Sequence, residues 1–240
     1  MNRELLSNRI LERSSVVANS LMNRERRIRG GNSYEKELGF DIIGFLTARL
    51  SHGEKPARWL DLCCGSGKAL IEAASIFAEQ KLNSRIEITG VDLAAMFEPY
   101  PAAQLDFLHL IESLIEDWKP GGEFDLITCV HGLHYIGDKL GLIQNAASWL
   151  KKDGVFTANL DLANFKFADD KPAGRAVAKE LSRNGIEYKS SKHLIICRGK
   201  KEINPQKFRY LGADDKAGAN YTGQAAVNSY YAAKSDLSRN

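Results

Sequence analysis

Residues 59–70 constrain the fold of this chain most strongly, because they join a short apolar run to a glycine turn and then to a helical pattern. Residues 59–64 are largely apolar, which is typical of a buried parallel strand. Gly65 and Gly67 interrupt the run, and apolar residues at helical spacing follow in 69–77. Glycines admit positive φ and close backbone approach, and the amides of a helix N-terminus face the ligand. The segment predicts a binding site for a nucleotide-like ligand.

Two common nucleotide-binding motifs do not fit this turn. A dinucleotide fingerprint requires a third glycine, where this chain has Leu70. A P-loop requires Ser or Thr after the glycine-lysine pair, whereas Lys68 is followed by Ala69, and the spacing of the glycines is too short. The remaining alternative is a turn preceded by an acidic residue in the strand, and Asp61 provides that acid.

The pattern Asp61-x-Cys-x-Gly-x-Gly resembles motif I of the class I S-adenosylmethionine-dependent methyltransferases. Three further segments resemble that family in the same order. They are the second strand with its ribose-binding acid at 88–93, the fourth strand and following loop at 124–138, and the turn into the fifth strand at 150–156. The resemblance covers roughly residues 56–200 and implies a Rossmann-like α/β fold with a seven-stranded methyltransferase sheet.

Strand and helix patterns alternate regularly from residue 56, which by itself predicts a parallel, doubly wound sheet with right-handed crossovers. We predict residues 1–55 to be an N-terminal helical cap or lid and 56–240 to be the methyltransferase domain. Finer predictions complete the chain. They are a helix at 34–50, a weak helix at 96–104, a sixth strand at 188–198, a seventh strand at 207–211 and an ordered tail beyond it.

Composition limits the classes of function. A net charge of +3, with 44% hydrophobic and 26% charged residues, is ordinary for a globular protein and does not indicate a nucleic-acid partner. The four cysteines form no C-x-x-C pair, which favours buried thiols in a reducing cytoplasm over a metal site or disulfides. No apolar run reaches membrane-spanning length, and the first residues lack the apolar core of a signal peptide. We expect a cytoplasmic protein that requires no metal, acts on a small molecule and forms a homodimer.

The resemblance implies that S-adenosylmethionine is the cofactor. Asp61 would hold its amino group, Asp92 its ribose and Leu93 its adenine; forming a cap or a turn is the alternative role for the two acids. Ser113 and Leu114 would contact the exocyclic edge of the adenine. Because Ser113 stands where the family often has Asp, the sequence does not decide whether Ser113 makes this contact. The predicted cofactor-binding residues are Asp61, Cys63, Gly65, Ser66, Gly67, Asp92, Leu93, Ser113, Leu114 and His131.

Five residues are candidates for the face of the site toward the transferred methyl group. They are Tyr34, His131, His134, Asn159 and Asp161. A histidine at a strand end can equally be a buried, hydrogen-bonded residue, and Tyr34 can be either a lid residue or a packing residue. The arginines of 24–29 either form a solvated basic face or clamp a carboxylate.

Three activities are compatible with these residues. We expect methyl transfer to a small molecule of specialised metabolism. The first alternative is a cyclase that converts S-adenosylmethionine to azetidine-2-carboxylate and methylthioadenosine, since residues 23–26 and 32–34 resemble enzymes of that kind. The second alternative is a cofactor-binding protein without catalysis.

Overall fold

The computed structural model describes residues 5–11, 14, 16, 26–51, 55–94, 96–115, 117–203 and 207–233, and its centre is a seven-stranded sheet. The strands of this sheet are β1 (Ala57–Leu62), β2 (Ile86–Asp92), β3 (Leu108–Glu112), β4 (Phe124–Cys129), β5 (Leu150–Asn159), β7 (Ile186–Lys189) and β8 (Leu194–Arg198). Their order is β3-β2-β1-β4-β5-β8-β7. The first five pair in parallel, and β8 runs antiparallel to both β5 and β7. The predicted Rossmann-like sheet is therefore confirmed.

Helices cover both faces of the sheet, except for the short helix α1 (Asn8–Leu11), which packs against residues 208–214 outside it. The helices on the sheet are α2 (Tyr34–Leu38), α3 (Ile42–Leu50), α4 (Lys68–Glu79), α5 (Lys139–Ser148) and α6 (Gly174–Arg183). One core joins the sheet to α5 and α6, and the other joins it to α2, α3 and α4. Every residue of β4 is buried, as expected for a central strand with helices on both sides.

The helix predicted at 34–50 is in fact two helices. Gly39 adopts a left-handed conformation with φ 60° and ends α2. Asp41 then caps α3, since its Oδ1 accepts a hydrogen bond of 2.9 Å from the Gly44 amide. A left-handed glycine commonly ends a helix, and an aspartate cap commonly begins one. These two signals outweigh the apolar periodicity that continues through residues 39–41.

Two further predictions of secondary structure were wrong, and a third was right about the strand but not about its sheet. Residues 96–104 form turns instead of a weak helix, because Pro99 and Pro101 lack the amide hydrogens that a helix needs. The strand predicted at 188–198 is a hairpin of β7 and β8, joined by a short 3-10 turn and His193 with φ 47°. The strand predicted at 207–211 lies outside the main sheet.

A second sheet has three strands in the order β6-β10-β9. They are β6 (Phe165–Phe167), β9 (Phe208–Asp214) and β10 (Asn228–Ala233). Tyr231 of β10 packs in the main core, so the tail up to residue 233 is ordered as predicted. The helices predicted within residues 1–30 lie largely outside the described residues. Between α1 and Arg26 the structure describes only residues 14 and 16. No helix in the described part of the chain is long and apolar enough to cross a bilayer.

Candidate functional site

The carboxyl ends of β1, β2 and β4 meet where the strand order reverses, and Asp61 lies buried at their centre. Its Oδ2 accepts a hydrogen bond of 2.7 Å from the Tyr34 hydroxyl of α2. Its Oδ1 accepts a short hydrogen bond from Thr128 Oγ1, and Trp59 Nε1 donates to that same hydroxyl oxygen at 2.9 Å. Side chains from the cap and from two strands therefore fix the position of this carboxylate.

Burial raises the pKa of Asp61 to about 7, although the hydrogen bonds from Thr128 and Tyr34 oppose that effect. Asp92 adds a further increase because its negative charge is nearby. In the described part of the chain no basic side chain forms an ion pair with Asp61. The site thus contains a buried acid that a cationic group of a ligand could stabilise in its charged form.

The glycine turn stands beside Asp61. Gly65 and Gly67 have φ of 61° and 75°, and a side chain at Gly67 would put its Cβ 2.7 Å from Leu110 Cδ1. Helix α4 starts directly after the turn, and no side chain of the described residues caps its first amides. The turn is therefore left-handed and closely packed from below, and it leads directly into the first amides of α4.

Asp92 fixes the shape of that turn. Its Oδ2 accepts a hydrogen bond of 2.8 Å from the Gly65 amide, and its Oδ1 accepts one of 3.0 Å from the Ala94 amide. The backbone carbonyl of Asp92 also accepts a hydrogen bond of 3.0 Å from Ser113, so the ends of β2 and β3 are held together.

His131 follows β4 on the other side of the crevice and is only 1% exposed. Its backbone has φ 57°, and its amide donates to Asn159 Oδ1 at 3.3 Å. Its ring Nδ1 lies 3.4 Å from His134 Nε2, and its Nε2 lies 3.0 Å from Glu37 Oε2 of α2. The cap helix therefore contacts the site twice, through Tyr34 at Asp61 and through Glu37 at His131.

Both imidazoles are neutral at pH 7. Burial lowers the pKa of His131, and the Glu37 carboxylate only partly offsets this effect. Burial lowers the pKa of His134 to about 2. The His131 ring lowers the pKa of Glu37, so this carboxylate is ionised.

The remaining predicted residues have local roles. Asp161 Oδ1 accepts from the Ala163 amide at 2.9 Å and its Oδ2 from the Tyr221 amide at 3.3 Å, so it organises the backbone beyond β5. Ser113 Oγ donates to the Leu114 carbonyl at 3.1 Å. The structure connects Tyr34 with Asp61, Asp92 with Gly65, and His131 with both His134 and Asn159, and the functional roles of all candidates stay predictions.

The described arginines of 24–29 pair with glutamates of the protein. Arg26 lies 3.7 Å from Glu37, Arg27 lies 2.7 Å from Glu72, and Arg29 lies 3.0 Å from Glu35. Arg24 lies outside the described residues. These ion pairs connect the segment to α2 and α4.

Comparison with known proteins identifies the family. The model of a family described as a methyltransferase domain matches residues 35–194, which is about two thirds of the chain. The chain belongs to the class I S-adenosylmethionine-dependent methyltransferases. The match begins inside the predicted cap, at the second residue of α2.

The individual proteins that match the chain share limited sequence identity with it. A ubiquinone biosynthesis O-methyltransferase of Vibrio campbellii is 32% identical over 120 residues, which is 45% of this chain and 47% of that enzyme. The chain thus matches about half the length of such curated relatives. A solved amino pentose methyltransferase from Micromonospora echinaspora, with bound cofactor, is 20% identical over 66% of this chain and 58% of that one, with a TM-score of 0.39. The methyltransferase domain of the citrinin polyketide synthase is 14% identical over 67% of this chain and 52% of that one, with a TM-score of 0.47.

The geometry of this methyltransferase fits S-adenosylmethionine. Asp61 offers a buried carboxylate for the ammonium, and the glycine turn offers close backbone approach and amide hydrogens. Asp92 stands at the end of β2, where an acid binds ribose hydroxyls in nucleotide sites. In the described ranges no group of three or more His, Cys, Asp or Glu side chains could hold a metal ion.

Sequence reasoning missed several residues of the methyltransferase site. Glu37 is three residues from Tyr34, and this helical spacing could have indicated that both face the crevice. Thr128 lies inside a strand and has no motif that marks it. Tyr221 belongs to the tail, and its ring stacks on His193 with the ring centroids 3.9 Å apart.

Proposed function

We propose that this protein transfers the methyl group of S-adenosylmethionine to a small-molecule acceptor of specialised metabolism. The observation that carries the proposal is the placement of Asp61, the glycine turn and Asp92 at the carboxyl ends of β1 and β2, next to His131 and Asn159 at the ends of β4 and β5, where the strand order reverses. When bound, the cofactor supplies a methyl group that its sulfonium already activates.

The residues of the chain would bind and orient the two reactants. Asp61 would take the ammonium in a charge-assisted contact, and Asp92 would accept the ribose hydroxyls. His131 would face the acceptor, and because its imidazole is neutral at pH 7 it could take up a proton that the acceptor loses. Tyr34 and Glu37 of the cap would cover the crevice and exclude water, which favours an in-line transfer.

A second candidate is the cyclisation of S-adenosylmethionine, and the burial of the acceptor side favours it. His131, His134 and Asn159 are each at most 1% exposed, beneath Glu37 and Tyr221. A reaction without an acceptor needs no opening there. In it, the deprotonated amine would form a bond to the γ-carbon as the bond from that carbon to sulfur breaks, giving methylthioadenosine and a four-membered imino acid.

The deciding experiment incubates the purified protein with S-adenosylmethionine alone and analyses the products by mass spectrometry. Methylthioadenosine with azetidine-2-carboxylate would establish the cyclase and contradict methyl transfer as the main activity. Cofactor that binds and stays intact, followed by release of S-adenosylhomocysteine on screening of small-molecule acceptors, would support methyl transfer. Binding without product under either condition would favour a non-catalytic role, and the absence of binding would contradict all three.

Two further predictions belong to this proposal. The boundary near residue 55 separates the cap from the methyltransferase domain, and the cap contacts at Asp61 and His131 support treating residues 1–55 as a lid. The partner is a small molecule, not a nucleic acid, and the protein acts in the cytoplasm, where its four free thiols would stay reduced. A homodimer stays a prediction.

A further inference from the structure

Tyr221 of the tail lies at the boundary between the buried histidines and solvent. Its ring stacks on His193, with centroids 3.9 Å apart and an interplanar angle of 8°. The centroid of the same ring lies 6.0 Å from that of His131 and 5.3 Å from that of His134. These two imidazoles are at most 1% exposed, whereas Tyr221 is 39% exposed. Tyr221 therefore covers the two histidines with one side of its ring and meets solvent with the other.

The segment that carries this tyrosine, residues 218–226, is a compact loop held by its own backbone, and we call it the tail loop. The Gly223 amide donates to the Asn220 carbonyl at 2.9 Å. The Ala226 amide donates to the Gly218 carbonyl at 3.0 Å, which closes the base of the loop. Gly218 and Gly223 have φ of 76° and 82°, and a Cβ at either position would meet no atom within 4 Å. A loop with internal hydrogen bonds and unpacked glycines can move as a unit.

A small number of atoms connects the tail loop to the strand ends. The Tyr221 amide donates to Asp161 Oδ2 at 3.3 Å, beyond β5. The Tyr135 hydroxyl, in the loop after β4, donates to Gln224 Oε1 at 2.9 Å. Contacts with a ligand can replace these hydrogen bonds and the stacking on His193, so binding of a ligand can shift the loop to an open position.

The tail loop also contains a buried donor without a partner. Asn220 is 7% exposed, and its Oδ1 accepts a hydrogen bond of 2.7 Å from the Thr222 amide. Its Nδ2 has no hydrogen-bond partner among the described residues, and neither has Nδ1 of His134. Buried polar atoms are normally paired, because an unpaired one is unfavourable. The loop therefore offers a hydrogen-bond donor to a polar group of a ligand.

We propose that the tail loop is a lid over the acceptor side of the site and that Tyr221 is a specificity-determining residue, which selects planar aromatic acceptors. This inference rests on the proposed function. When the loop moves outward, the phenol ring leaves a flat space that His193 borders on one face and His131 and His134 border at other sides. An aromatic ring that carries the acceptor hydroxyl or amine fits this space, because it restores the ring contacts that Tyr221 gives up.

Modification of histidines by diethyl pyrocarbonate, located by mass spectrometry, tests the lid without an acceptor. The reagent acylates neutral imidazoles that solvent can reach, and the exposed His109 gives the reference rate. In Tyr221→Ala we expect His131 and His134 to react at least about tenfold faster than in wild type. Tyr221→Phe keeps the ring, and Lys216→Ala changes an exposed side chain just before the loop. Both controls should stay within about twofold of wild type.

The shape of the space is tested with 4-methylphenol, which is the side chain of tyrosine as a free molecule. Its comparison compound is 4-methylcyclohexanol, which has a similar size and a hydroxyl but no planar ring. In Tyr221→Ala we expect 4-methylphenol to return the labelling of His131 and His134 to within about twofold of wild type, and 4-methylcyclohexanol to protect them far less. By calorimetry, 4-methylphenol should bind Tyr221→Ala at least about tenfold more tightly than Lys216→Ala, because no ring has to be displaced.

Each part of the proposal has an outcome that would overturn it. Unchanged labelling in Tyr221→Ala would overturn the lid, and equal protection by the two compounds would overturn the selection of aromatic rings. Faster labelling that neither compound reverses would also overturn the proposal, because the site would then have lost its structure and not only its cover. These measurements require no methyl transfer, so failure of the proposed function would appear separately, as an absence of methylated product in wild type.

Discussion

At the scale of single residues, Asp61 connects the chemistry of the site to the stability of the protein. Its pKa is about 7 in the folded chain and 3.8 in the unfolded one. Because the folded value is raised, the stabilisation is present below pH 3.8 and is lost as the pH rises to about 7. We expect the free energy of unfolding to fall over this window by roughly 4 kcal/mol at most, relative to Asp61→Asn.

Chemical denaturation of both proteins at several pH values measures this difference. The Asn variant cannot titrate, so it serves as the control for all other groups. Parallel pH profiles of the two proteins would show that Asp61 is ionised normally. The ammonium of S-adenosylmethionine favours the charged acid, so its affinity should rise with pH up to about 7 and then level off.

Asp92 provides a second prediction at this scale. Replacing it by alanine removes the carboxylate that we propose as the acceptor for the ribose hydroxyls, together with its hydrogen bond from the Gly65 amide. We expect Asp92→Ala to weaken S-adenosylmethionine binding by about 1–3 kcal/mol in calorimetry, the usual cost of a charged contact. Glu79→Ala, an exposed acid at the end of α4, is the control, and equal affinity of the two variants would remove Asp92 from the site.

Asp61 and Asp92 could be predicted as cofactor-binding residues from the sequence. Asp61 lies in the strand before the glycine turn, and Asp92 ends the second of four segments that resemble the family in the same order. The sequence could not predict Glu37 or Tyr221 as partners of His131, because contacts between a cap, a strand end and a tail depend on tertiary packing. Thr128 illustrates the same limit. A threonine inside a β-strand is ordinary, and only the fold puts its hydroxyl against Asp61.

At the scale of elements, Lys139 joins helix α5 to strand β10. Its ammonium is buried and donates to the carbonyls of Ile136 and Val227 at 2.9 and 2.8 Å and to Ser229 Oγ at 2.8 Å. Lys139→Met keeps the length of the side chain but leaves these acceptors without their donor. We expect a loss of about 2–4 kcal/mol in chemical denaturation.

Lys152→Met, which changes an exposed lysine, is the control for that measurement. A loss below about 0.5 kcal/mol in Lys139→Met would mean that the two elements are held by apolar contacts alone.

Which strands pair with each other in the C-terminal part of the chain could not be predicted from the sequence. Strand propensity marked 188–198 and 207–211, but Ser190–Lys192 contains no glycine or proline to reveal the hairpin, and the sheet joined by β9 is decided by long-range packing.

At the scale of the whole molecule, the family model ends at residue 194, yet the chain beyond it takes part in both the core and the site. Tyr231 packs among the core residues, and its hydroxyl donates to Asp138 Oδ1 at 3.0 Å at the start of α5. The Val227 amide donates to the His134 carbonyl at 2.9 Å. The tail therefore stabilises the loop after β4 that carries both histidines.

Deletion of residues 207–240 tests this integration. The shortened chain would expose the apolar surface under Tyr231 and leave the carbonyl of His134 and the ammonium of Lys139 without their tail partners. We expect loss of the cooperative thermal transition, or a Tm lower by more than about 10 °C, together with loss of S-adenosylmethionine binding. Deletion of residues 234–240 alone is the control and should leave both unchanged. Wild-type Tm and affinity in the longer deletion would mean that the chain up to residue 206 folds independently and that the second sheet is an addition to a complete methyltransferase core.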